Sequence, residues 1–166
     1  MVETDKITEN KIKRDGIFDF KELYRFCYTW LADDEYLMVE KNYTEKVKGD
    51  AKEIEIYWEA KKKISDYFRI LLKISWRILN MVEVEVQKDG KKIKMQKGLV
   101  EIKTTGSLQK DYEHRWEDRP LFKFLRGVYD KYIIRGRIDQ YEQKVIDTVD
   151  EFVAQVKSFL VISGER

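Results

Sequence analysis

The sequence predicts an α+β fold: an N-terminal helix, an antiparallel sheet of four to five strands, and two C-terminal helices packed on one sheet face. Three observations carry that prediction. Between Glu53 and Leu79 apolar residues recur at alternate positions with charged residues between them, as one-sided burial of a strand requires. Asp89-Gly90 separates two such alternating stretches, and this dipeptide is the favoured centre of a tight hairpin. After Trp116 the apolar spacing changes to three and four, which is the helical repeat.

Taken in order, residues 1–14 are polar and show no period, with Val2, Ile7 and Ile12 as their apolar anchors. They are expected to form a flexible leader to a single α+β domain spanning 15–166. Asp19 and Glu22 then stand at N-cap and N3 spacing, and Phe18 and Leu23 are placed to clasp the helix entry between them. The helix that follows carries Phe20, Leu23, Tyr24, Cys27, Trp30 and Leu31 on one stripe and stops near Ala32 to Glu35.

Leu37, Val39, Tyr43 and Val47 alternate with polar residues and are interrupted by Lys41 and Glu45, the pattern of a strand at the edge of a sheet. Gly49-Asp50 marks its turn. In the long alternating run, Ile54, Ile56, Trp58, Ala60, Ile64, Phe68, Ile70, Leu72, Ile74, Trp76 and Ile78 share one face. A strand of that length would be unusual, so a reversal is expected within Lys61 to Asp66, where charge accumulates. Val82, Val84 and Val86 lead into the Asp89-Gly90 hairpin, from which Ile93 and Met95 return. Gly98 is read as separating a last strand, Leu99 to Thr105, and Gly106 as a turn or bulge.

Asp118 and Pro120 suit a helix start, with Leu121, Phe124, Leu125, Val128, Tyr129 and Tyr132 as its stripe; Gly136 ends or weakens it. In the final helix, Ile138, Tyr141, Val145, Val149, Phe152, Val156 and Leu160 follow an eleven-residue repeat. That repeat stays on one side of a nearly straight helix, so packing on the sheet is expected rather than a coiled coil.

Composition narrows the function. Lys and Arg number 33 against 31 Asp and Glu, a balance unlike the basic excess of most nucleic-acid-binding domains. No stretch approaches the roughly 20 apolar residues of a membrane-spanning helix, no secretory leader is visible, and a cytoplasmic location is expected. The lone cysteine, Cys27, rules out an internal disulfide and a cysteine-based metal cluster. No phosphate-binding glycine loop, GxSxG elbow or HExxH motif occurs, so no cofactor is implied and catalysis is disfavoured.

His114, the single histidine, stands among charged residues and reads as a surface group. Cys27 falls on the apolar stripe of the first helix, where a small thiol packs as a hydrophobe. Glu53, Glu55 and Glu59 share a strand face with Lys61, Arg69, Lys73 and Arg77, which fits cross-strand ion pairs better than paired catalytic carboxylates. Tyr57 and Tyr67 on that face could stack bases, but the glutamates would repel phosphate. Trp58 and Trp76 belong to the apolar face, as core anchors or as walls of a pocket beneath the terminal helix.

A basic row, Arg119, Lys123, Arg126 and Arg137, with a second pair, Lys131 and Arg135, is the candidate ligand-binding surface if one helix continues through Gly136. The acidic Asp139, Asp147, Asp150 and Glu151 follow it, so copies of the chain could dock through opposite charges. The expected function is a non-catalytic binding or assembly module, with a protein partner or a second copy. The alternatives are a binder of nucleic acid or an anionic membrane surface through the basic row, and an enzyme with a small-molecule pocket between sheet and terminal helix.

Overall fold

The computed structural model describes residues 3–110, 124, 125, 128 and 135–164. Its elements are β1 (Glu3–Phe18), α1 (Phe20–Asp33), β2 (Leu37–Lys48), β3 (Ala51–Lys63), β4 (Phe68–Lys88), β5 (Lys91–Lys110) and α2 (Arg135–Gly164). The strands form one antiparallel sheet in the order β1-β5-β4-β3-β2. β2 to β5 are successive hairpins. The α1 connection carries the chain from one outer strand, β1, to the other, β2.

The expected order of helices is corrected. Among the described residues there are two helices, one between strands and one C-terminal, in place of one before the sheet and two after it. Phe124, Leu125 and Val128 are helical, and the rest of the expected penultimate helix lies outside the described residues. The expected leader is corrected too: Glu3–Phe18 pairs with β5 along its length, with a bulge between Lys6 and Thr8. An outer strand needs one hydrogen-bonded neighbour and few apolar side chains, so its polar sequence disguises it. Ile12 and Phe18 supply its buried contacts.

The turns follow their local chemistry. The α1 N-cap is Asp19, whose Oδ1 accepts from the Glu22 N–H at 3.2 Å, while Phe18 and Leu23 are both buried beside it. The Gln96 side chain accepts from the Phe20 N–H at 2.8 Å, tying the first turn of α1 to β5. β3 and β4 reverse between Lys63 and Phe68, as the charge cluster predicts. Asp89 and Gly90 both have positive φ, +52° and +76°, as a type I′ hairpin requires. β5 runs uninterrupted through Gly98 and Gly106, so these glycines are not strand ends.

One row of residues crosses the whole sheet: Ile12, Ile102, Trp76, Ile56 and Tyr43 lie side by side on β1, β5, β4, β3 and β2. The first four are buried, whereas Tyr43 is 45% exposed. The helical layer therefore covers four strands and reaches only the first part of the fifth, where Met38 packs on the core and Glu40 bonds to Tyr24. α2 lies over β1 and β5, burying Val145, Val149, Phe152, Val153, Val156 and Leu160. The eleven-residue repeat is thus spent on the sheet. Phe26 stacks on Phe159 with centroids 4.8 Å apart and Trp30 meets Phe152 at 5.5 Å, joining α1 to α2.

Candidate interaction surface

The partly covered strand, β2, pairs with β3 alone among the described residues. Leu37 and Val47 are each 69% exposed, and Val39 and Tyr43 also stand in solvent. Exposed large hydrophobics are thus concentrated on the strand whose backbone edge is also open. A free edge presents unpaired N–H and C=O groups that another strand can complete. Lys41, Lys46 and Lys48 and a bulge between Glu40 and Asn42 break up this edge, leaving apolar residues in both halves.

The strand is held in register by an aromatic cluster at its root. Glu40 Oε1 accepts from Tyr24 Oη at 2.8 Å and from Trp58 Nε1 at 3.3 Å, so α1 and β3 grip the same carboxylate of β2. Tyr24 lies edge-on to Trp58 at 5.0 Å, and Trp58 edge-on to Trp76 at 5.2 Å. Burial and the bond to Glu40 push the Tyr24 hydroxyl up to about 12. Trp58 and Trp76 are both buried in the core with their rings against each other and against Tyr24. Burial also pushes the Cys27 thiol up, leaving it an unreactive protonated group inside the core.

An open cleft of about 660 Å³ adjoins β2. Phe20, Ile54, Met81 and Val82 form its apolar part, and Tyr43, Glu45, Lys52 and Glu83 part of its rim. Lys52 Nζ meets Glu45 at 2.9 Å, and that bond raises the lysine above its ordinary range. The outer sheet face is ion-paired: Lys48 Nζ lies 2.9 Å from Glu53, and Lys41 3.9 Å from Glu59. No group of three or more potential metal ligands occurs among the described residues.

Among the sequence-derived candidates, Arg137 is exposed near the start of α2 and Arg135 is the first residue of that helix. Arg119, Lys123, Arg126 and Lys131 lie outside the described residues, as does His114. Of the basic row and its second pair, only Arg135 and Arg137 fall within the described residues. The alternation of Leu37, Val39, Tyr43 and Val47 around Lys41 and Glu45 predicts an outer strand but not a contact surface.

No known protein family, curated protein or solved structure matches the chain. Among the described residues no helix is long and apolar enough to cross a membrane. Functional reading therefore rests on the surfaces themselves.

Proposed function

We propose that this chain is a non-catalytic assembly module that associates with a second copy of itself through the free edge of β2. The observation that supports this is a twelve-residue outer strand with an open edge and exposed Leu37, Val39, Tyr43 and Val47. Two copies of one edge pair antiparallel about a two-fold axis, the commonest symmetry of homo-oligomers. Such pairing would satisfy the backbone edge and cover the apolar side chains in one step. Charges of both signs along the strand, Glu40 and Glu45 with Lys41, Lys46 and Lys48, keep a copy from being repelled as a whole.

Sedimentation velocity across a concentration series tests this reading. The native chain is expected to show a concentration-dependent dimer. The combined variant Leu37→Lys, Val39→Lys, Val47→Lys should weaken association by about tenfold or more. Its melting temperature should stay close to the parent's, because these side chains are exposed and leave the core intact. A native chain that remains monomeric at every concentration, or a variant that associates equally well, overturns the proposal.

A further inference from the structure

The opposite edge of the sheet is a different surface. A groove of about 370 Å³ runs beside β1 where the C-terminal part of α2 overhangs it, lined by Lys11, Ile12, Lys13, Arg14, Lys157, Leu160 and Val161. Among the described residues every polar side chain in that lining is cationic, in a protein whose charges balance almost evenly. Lys11 is ion-paired with Glu101 on the outer face and Lys13, directly across from Glu101, attracts the same carboxylate, whereas Arg14 and Lys157 have no ion pair among the described residues. Ile12 and Leu160 are buried and Val161 is half exposed, giving the groove an apolar floor between its cations. β1 pairs only with β5 among the described residues, so the groove also borders open strand backbone.

From these features we infer that the groove between β1 and α2 binds an extended acidic segment of a partner protein, added as a strand to the free edge of β1. Lys11 to Arg14 span about 10 Å of strand, enough to fix a short run of partner residues by backbone hydrogen bonds. Side chains of an added strand alternate between two faces. One set would meet Val161 above the buried Ile12 and Leu160, flanked by Arg14 and Lys157, on the helix side, and the other would meet Lys11 and Lys13 on the outer side. The matching sequence alternates apolar and acidic residues.

The same cations argue against other occupants. In a β1–β1 pairing centred on Ile12, Lys11 and Lys13 would meet like charge, which disfavours that register. Among the described residues no aromatic side chain lines the groove, so they offer a single-stranded nucleic acid no stacking platform. The inference does not depend on association through β2, which lies at the far edge of the sheet.

The test is fluorescence anisotropy of the full chain with a labelled alternating valine-glutamate peptide of about eight residues, a strand-length probe. Binding is expected at low salt and should weaken as salt is raised. Replacing the glutamates by lysine, or alternate residues by proline, should each reduce affinity by about tenfold or more, since one removes charge complementarity and the other strand addition. Lys13→Glu with Lys157→Glu should produce a similar loss without changing the melting temperature. The triple lysine variant of β2 should bind the peptide as the native chain does. The inference is overturned if the glutamate peptide does not bind, if its proline form binds equally well, or if Lys13→Glu with Lys157→Glu leaves affinity unchanged. Tighter binding of an oligothymidine or of phosphatidylserine vesicles through Lys13 and Lys157 would also overturn it.

Discussion

Gly106 sets how closely the long helix approaches the sheet. A Cβ built on it would lie 2.6 Å from Val145 Cγ1 and 2.9 Å from Val149 Cγ2, and β-branched side chains in a helix have no second rotamer to retreat to. Gly106→Ala should therefore cost about 1–3 kcal/mol by overpacking, read as a lower urea midpoint with an unchanged slope. Loss-free substitution would mean that α2 can lift away from β5. The sequence pointed to a turn or bulge here, and the bulge is found across the strand pair, between Lys6 and Thr8. A glycine required by a neighbouring helix has the same local sequence as one required by a turn. Only the partner element distinguishes them. Tyr24 and Glu40 make the same point, because their 2.8 Å bond joins residues sixteen positions apart on different elements.

At the scale of elements, legibility followed the strength of the local pattern. Strands β3 and β4 each carry an uninterrupted apolar face, the reversal between them coincides with clustered charge, and Asp19 caps α1 as its spacing implies. β1 was hidden because Thr8, Asn10 and Arg14 share the helix-side face with Ile12, leaving too few apolar positions to register as a period of two. Removing residues 1–14 tests the difference directly. A mobile leader could be lost without consequence, but this deletion takes away Ile12 and most of the strand that covers β5. Losing the burial of Ile12 alone is worth about 1.5–3 kcal/mol, and Ile102 loses its neighbour as well. The deleted chain should melt well below the native one or aggregate through the newly opened β5 edge. An unchanged melting temperature would show that β1 contributes nothing to the fold. The candidate surfaces were less legible than the strands. Exposure of Leu37 and Val47, and the convergence of Lys13 with Lys157, depend on where the helical layer ends and on contacts between distant segments.

For the whole molecule, the buried hydroxyls and thiol make alkaline pH the sensitive direction. Burial pushes Tyr36 from 10.0 up to about 12, and burial together with the bond to Glu40 takes Tyr24 to about 12. Cys27 is raised from 9.0 by burial alone. Each of these acids keeps its proton in the folded chain at a pH where the unfolded chain has begun to release it. Their stabilisation is complete below the unfolded pKa and declines as pH rises towards the folded value. Lys52, raised by its bond to Glu45, contributes with the same sign. On the acid side, Glu9, Glu53 and Glu101 are lowered, first by hydrogen bonds from Lys6, Lys48 and Lys11 respectively. Their contributions are present above the ordinary value of 4.5 and decline as pH falls, but exposed pairs of this kind are weak. Stability should thus change little through neutrality, begin to fall above about pH 9 and fall most steeply between about pH 10 and 12. Urea midpoints measured at successive pH values should show this, and Tyr36→Phe should flatten the alkaline slope because it removes one retained proton. A midpoint that holds constant to pH 12, or an identical slope in Tyr36→Phe, would mean that these groups titrate alike in the folded and unfolded chain, which their enclosure between the helices and the sheet does not allow.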